Sequence, residues 1–161
     1  MALLEKFLFV ADSTLPDAGQ GLFTRVQIKK GQRLAEYKGK IRPWREVKGE
    51  DGYNEYLLKI NRSQAIDAKK HLHVVARYAN DARGLVRVKG LMNNAEYVIE
   101  GKRCFLEATR SIPAGSEVFV YYGKEFWQLI RKIRKEKKKL EAGQLRTKRR
   151  NKKKAGMTKV S

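Results

Sequence analysis

Cysteine occurs once in the 161 residues, at Cys104, which excludes an internal disulfide and a zinc cluster built from several thiolates. Histidine is nearly as scarce. His71 and His73 lie two apart, a spacing that would put both imidazoles on one face of a strand, but no third ligand stands at matching distance, so no metal site is expected. No run approaches the ~18 apolar residues that a membrane span needs. The hydrophobic residues 1–11 are interrupted by Glu5 and Lys6, with neither a basic leader nor a small-residue cleavage site after them, so a soluble, intracellular protein is expected. Thr24 occupies the third glycine position of a GxGxxG pattern, and GxxxxGK[ST] is missing, which removes the usual dinucleotide and P-loop signatures.

Acidic residues are also few: 17 Asp and Glu against 37 Lys and Arg, for a formal charge of +20. The excess is uneven, because 15 of the basic residues but only two acidic ones fall within 131–161. Blocks such as Lys148-Arg149-Arg150 and Lys152-Lys153-Lys154 repel one another and lack apolar partners, so they stay solvated or find a polyanion. The chain therefore reads as a modestly basic body with a strongly basic tail, long enough for one core of ordinary size.

Strands dominate the body. Residues 3–10 read as a strand, followed by the turn formers of 12–19; residues 21–24 read as a second, and 34–41 as a third that places Ala35, Tyr37, Gly39 and Ile41 on one face. Residues 43–53 read as loop and 56–60 as a buried strand. Tyr97-Val98-Ile99, the turn Gly101-Lys102 and residues 104–108 predict a hairpin, and Ile112-Pro113-Ala114-Gly115 predicts a turn before a strand over 117–122. After Lys124 the period changes: Phe126, Ile130 and Ile133 fall at i, i+4 and i+7, predicting a partly buried helix over 126–140. A disordered basic tail is expected over 141–161.

Taken singly, the chemistry-bearing residues decide little. Gly19-Gln20-Gly21 lets a backbone approach a ligand or simply makes a tight turn. Glu107, Glu117 and Asp67 are scattered acids without acid/base pairing, and Cys104 within a strand pattern reads as a small hydrophobe. Tyr37, Tyr97, Tyr121 and Tyr122 all fall on predicted strands, where half-buried amphipathic packing would account for any one of them.

In their order and spacing, however, the motifs resemble a SET-domain protein lysine methyltransferase. The match runs from Gly19-Gln20-Gly21-Leu22-Phe23 through Glu36-Tyr37-Lys38-Gly39, Ile66-Asp67-Ala68, Arg77-Tyr78-Ala79-Asn80-Asp81-Ala82 and Asn94-Ala95-Glu96-Tyr97. It ends in 108–123, with Ile112, Gly115, Glu117, Tyr122 and Gly123 in family positions. The resemblance implies a mainly β fold of small curved sheets over 1–125, closed by a C-terminal pseudoknot that periodicity alone does not reveal.

The resemblance further implies S-adenosylmethionine as methyl donor, no metal, and a narrow channel for the target lysine. By position, Gly19, Gln20, Gly21, Arg77, Asn80 and Asp81 would hold the donor, and Trp127 would pack on its adenine. Tyr122 matches the catalytic tyrosine, and Tyr37 and Tyr97 match channel tyrosines. Three such hydroxyls would crowd a methylated amine and point to a mono-methyl product. Asp81 stands where the family usually has His, Lys40 where an acid often follows Tyr-X-Gly, and Tyr121 where Asp is common. Cysteine-rich zinc flanks have no counterpart, so a minimal domain is expected, its adenine lid and substrate wall supplied by the helix near 126–133.

The expected substrate is a lysine-containing protein, of histone or ribosomal type, with 131–161 docking on nucleic acid or nucleoprotein through phosphate contacts. A catalytically inactive SET-fold adaptor and a nucleic-acid-binding protein are the alternatives. Cytoplasm or nucleoid in a prokaryote, or nucleus in a eukaryote, would suit any of the three.

Overall fold

The computed structural model describes residues 2–157, and the chain divides after Gly123 into two compact units. Among the described residues the first holds nine short strands: β1 (Leu8–Asp12), β2 (Gln20–Thr24), β3 (Arg33–Glu36), β4 (Lys40–Pro43), β5 (Leu57–Lys59), β6 (Gln64–Asp67), β7 (Ala95–Glu100), β8 (Arg103–Ala108) and β9 (Glu117–Val118). They form three antiparallel three-stranded sheets, ordered β1-β2-β9, β3-β8-β7 and β4-β6-β5. A short helix α1 (Trp44–Val47) and a 3-10 turn at Val75–Tyr78 interrupt them.

The central strands β2, β6 and β8 are largely buried. In β8, Cys104, Phe105 and Leu106 are all buried, as a short continuous apolar run between two neighbours should be. Phe9 faces Phe23 across β1 and β2 with their rings stacked 5.5 Å apart, a cross-strand pair that pins the register. Leu22, Ile28, Leu34, Ile66, Leu106 and Ile112, each almost wholly buried, form the main core. Burying each such side chain contributes about 1.5–3 kcal/mol. The β7–β8 hairpin turns at Gly101-Lys102, as its pattern predicts.

Three expected elements in the first half of the chain differ. The strand expected over 3–10 begins later, at Leu8, because residues Glu5–Phe7 make a 3-10 turn whose Glu5 carboxylate accepts the Glu36 N–H at 3.0 Å. The strand expected over 34–41 is two strands in different sheets. At Gly39 the chain crosses β6 so closely that a Cβ would lie 2.4 Å from the Asp67 carbonyl oxygen, and only glycine permits that crossing. The segment 43–53 is not simply loop: Pro43 leads into α1, which buries Val47.

The last segment of this unit is held on both sides. β9 pairs with β2, then Phe119 bridges to Asn80 and Val120 to Ala95, both in parallel. Val120 N–H donates to Asn80 O at 2.8 Å, while Ala95 N–H donates to Phe119 O at 2.9 Å. The C-terminal motif thus lodges between two earlier segments, as a threaded C-terminus requires. The strand expected over 117–122 is therefore only two residues long, because its partners change after Val118.

The second unit is one helix, α2 (Lys124–Met157), which continues well past the expected end at residue 140. Where disorder is expected over 141–157 the chain is helical, and residues 158–161 lie outside the described residues. Lys, Arg, Glu, Gln, Leu and Ala are good helix formers, no proline intervenes, and Gly143 costs only ~1 kcal/mol. Lys154 in the last turn suits the negative end of the helix dipole. No residue of α2 is buried, and among the described residues no helix is long and apolar enough to cross a membrane.

Candidate active site

Three tyrosines that are far apart in sequence come together. Tyr37, immediately after β3, is anchored by its N–H donating to Cys104 O at 2.8 Å. Tyr97 lies on β7, and its ring meets that of Tyr37 edge-on, 5.9 Å between centroids at 89°. Tyr122 follows the held segment, so its position depends on that segment's two-sided pairing. Of the four tyrosines expected on strands only Tyr97 is on one, and Tyr121 is half exposed at 51%.

Burial pushes all three phenols upward: Tyr37 and Tyr122 well above the ordinary value, and Tyr97 likewise, with the neighbouring phenols adding to the effect. All three stay protonated at neutral pH. Two of their protons are committed to backbone carbonyls. Tyr122 O–H donates to Ala79 O at 2.6 Å and Tyr37 O–H to Tyr56 O at 2.9 Å, which leaves each oxygen the role of acceptor toward any third group.

Asp81 sets the position of Tyr122. Its buried carboxylate accepts the Tyr122 N–H at 3.0 Å through Oδ2, while Oδ1 accepts the Arg83 N–H at 2.8 Å and Asn93 Nδ2 at 2.9 Å. A carboxylate in the place where the family usually has His is thus employed in building the site. Asn80 joins the glycine segment to it, with Nδ2 donating to Gln20 O at 2.9 Å. Asn94 brackets the held segment, donating to Glu117 O at 2.9 Å and accepting the Phe119 N–H at 2.8 Å.

Glu117, a scattered acid by residue type alone but in a family position by the resemblance, is buried. It accepts Ser13 Oγ at 2.7 Å, Thr14 N–H at 2.8 Å and Thr14 Oγ1 at 2.6 Å, so it ties the loop before the glycine segment to β9. Gly21 exists for this carboxylate: a Cβ there would lie 2.1 Å from Glu117 Oε1. Gly19, by contrast, has a φ of 65° and nothing within 4 Å of where its Cβ would be, so the backbone is open on that side.

Arg77 is buried at 7% exposure, with its guanidinium 3.6 Å from the Tyr56 ring centroid and 5.2 Å from that of Tyr78. Its Nε and Nη1 are buried without a hydrogen-bond partner. Cation–π contact offsets part of the desolvation, but two buried donors still ask for an acceptor. Such a site fits a carboxylate-bearing ligand.

Trp127 lies in the other unit, on α2, where the Phe126 ring meets it edge-on at 5.1 Å. His71 and His73 sit in a turn, not on a strand face, with rings 6.0 Å apart, and no group of three metal-capable side chains occurs among the described residues. Cys104 is fully buried and its thiol is pushed up to about 12, mainly by desolvation, so it is no nucleophile.

Comparison with known proteins bears on the same residues. The family model described as SET domain matches residues 19–123. The variant-silencing SET domain-containing protein of Plasmodium falciparum (isolate 3D7) is 28% identical over 120 residues, covering 67% of this chain but 4% of that protein. The chain thus spans a small fraction of that relative's length. Among solved structures, a humanized mutant of the Chaetomium thermophilum Polycomb Repressive Complex 2 bound to an inhibitor is similar in fold, with a TM-score of 0.57 and 24% identity over 72% of this chain and 15% of that one.

Proposed function

The chain belongs to the SET-domain family, and from that membership we propose that it is an S-adenosylmethionine-dependent protein-lysine N-methyltransferase. The observation that carries the proposal is the cluster of three desolvated phenols, two with their protons turned away to backbone carbonyls. When bound, S-adenosylmethionine supplies a methyl group on a positively charged sulfur. Arg77 would hold its carboxylate, since its two buried unpartnered donors match that group, and the open backbone at Gly19 and Gln20 would lie against it with Asn80 and Asp81 behind.

The residues of this chain then do the rest by positioning. A lysine side chain has an ordinary pKa near ~10.4 and attacks only as the neutral amine. A desolvated channel with the Arg77 cation nearby favours that neutral form by burial and like-charge repulsion. The oxygens of Tyr37 and Tyr122, kept as acceptors, take the amine N–H groups and aim its lone pair, and Tyr97 narrows the channel. Crowding by the three rings supports a mono-methyl product on a histone-like or ribosomal-type lysine-rich substrate. The exposed cations of α2 support docking on nucleic acid or nucleoprotein.

Calorimetry with S-adenosylmethionine, followed by transfer of a labelled methyl group to fractionated lysine-rich proteins, tests this reading. Saturable heat and label on lysine are expected from the wild type, with Tyr122→Phe losing transfer while still binding the donor. A wild-type protein that gives neither heat nor label would favour a SET-fold adaptor instead.

A further inference from the structure

A concave surface lies at one end of the β4–β6–β5 sheet. There Pro43 pairs with Gln64 and the Trp44 N–H donates to Ser63 O at 2.8 Å, closing the end of the ladder. The turn between β5 and β6 is ordered by Asn61, whose Oδ1 accepts both the Ser63 N–H at 2.9 Å and Ser63 Oγ at 3.1 Å. A groove runs between this turn and α1. Ile41, Pro43 and Trp44 supply its apolar lining, Arg45 and Lys48 one wall and Arg62 the other.

Its charge is of one sign. No carboxylate lines the groove, and Glu46 on α1 is not among its lining residues. Elsewhere in this unit Arg33, Arg42 and Arg103 each meet a carboxylate. Arg45, Lys48 and Arg62 are exposed, and none of them meets an acid among the described residues. Lys59 Nζ stands 4.6 Å from the Trp44 ring centroid and adds a fourth cation. Unpaired cations on both walls of an ordered groove complement a polyanion, and a large aromatic between them offers a surface that suits planar bases and not carboxylates alone.

We propose that this groove binds single-stranded nucleic acid, with a base stacked on the indole face that Lys59 leaves and phosphates on Arg45, Lys48 and Arg62. The site is distinct from the basic helix α2 and from the tyrosine cluster, and it does not require the chain to be a methyltransferase.

The test separates it from α2 by reading Trp44 directly. The sequence has two tryptophans, so full-length protein carrying Trp127→Phe reports only on Trp44. Titrating an oligouridine of ten nucleotides should quench Trp44 emission in a saturable way. Arg45→Ala, Lys48→Ala and Arg62→Ala together should weaken the affinity at least tenfold at low salt. They should also reduce the slope of log affinity against log salt by about 2, at ~0.7 per single-strand phosphate contact. The three sites are exposed, and circular dichroism confirms that the triple variant is folded. Unchanged emission with binding intact, or an unchanged slope in the triple variant, would place all binding on α2 and overturn the proposal. Equal quenching by polyglutamate of matched charge would make the groove an acidic-peptide site, and equal quenching by a duplex of the same length would remove the single-strand preference; either also overturns it.

Discussion

Replacing Gly21 by alanine should destabilise the body through one identifiable contact. Gly21 lies in β2 without a positive φ, so the backbone itself accepts a side chain. The new Cβ would stand 2.1 Å from Glu117 Oε1 and 2.8 Å from its Cδ, so the carboxylate has to retreat by about 1 Å. A free surface glutamate would move at little cost. This one is buried and holds Ser13 Oγ at 2.7 Å and Thr14 Oγ1 and N–H at 2.6 and 2.8 Å, so a retreat gives up at least one such bond. Hydrogen bonds to a charged group contribute about 1.5–3 kcal/mol each, which sets the expected loss for Gly21→Ala at about 2–4 kcal/mol. Glu117→Ala should cost a similar amount by stranding the same donors. With the carboxylate gone, however, the nearest atom left to an alanine at 21 is Ser13 Cα at 3.3 Å. Its added cost in that background should fall below about 1 kcal/mol, helped by the lower entropy of the unfolded chain. Urea unfolding of the four proteins, read as a double-mutant cycle, checks this. Additivity to within about 0.5 kcal/mol would refute the reasoning, because it would mean that Gly21 and Glu117 do not share the contact.

Asp81→Asn should lower stability by about 2 kcal/mol, because an amide that satisfies Asn93 and Arg83 turns its NH2 toward the Tyr122 N–H; a chemical-denaturation midpoint equal to wild type would contradict that role. Glu36 is buried and accepts two hydrogen bonds from Arg103, at 2.9 and 2.8 Å, which hold its carboxyl below the usual range. The stability it contributes is therefore present above the ordinary glutamate pKa of ~4.3 and lost as pH falls through the lower folded value. Arg103→Ala should accordingly be destabilising at pH 7 with the deficit shrinking in acid, and a pH-independent deficit in denaturant titrations would exclude the linkage. Cys104, with its buried thiol pushed up to about 12, should resist iodoacetamide in native buffer at pH 8 and react fully in urea, as mass spectrometry will show.

What was legible in the chain follows from the range of the interactions. The β7–β8 hairpin could be read because its turn and both strands are contiguous, so local pattern and tertiary pairing agree. The start of α2 could be read from the change of period after Lys124, but its end could not: charge repulsion argues for disorder beyond residue 140, whereas per-residue helix propensity carries the helix to Met157. The strand over 34–41 looked continuous because nothing near Gly39 in sequence announces the Asp67 carbonyl that forces the crossing. Among the candidate site residues, the ordered motifs singled out Tyr37, Tyr97 and Tyr122, which the fold brings together. The working partners Ala79 O, Tyr56 O and Asp81 are supplied by backbone and side chains that only folding brings near.

By itself, then, the sequence determined the composition of the two parts, the absence of an internal disulfide, the hairpin and the order of motifs that carries the family resemblance. The first three depend on neighbouring residues or on a count, and the last on the linear order of short local motifs. The tertiary structure alone decided that Glu117 is the tie between the glycine segment and β9, that Asp81 holds Tyr122, and that Arg77 lies buried with two donors unpartnered. The first two join residues far apart in sequence: Ser13 and Glu117 are 104 positions apart, and Asp81 and Tyr122 are 41. Contacts at that separation form only when the C-terminal segment is threaded between its two neighbours, and periodicity does not encode that threading.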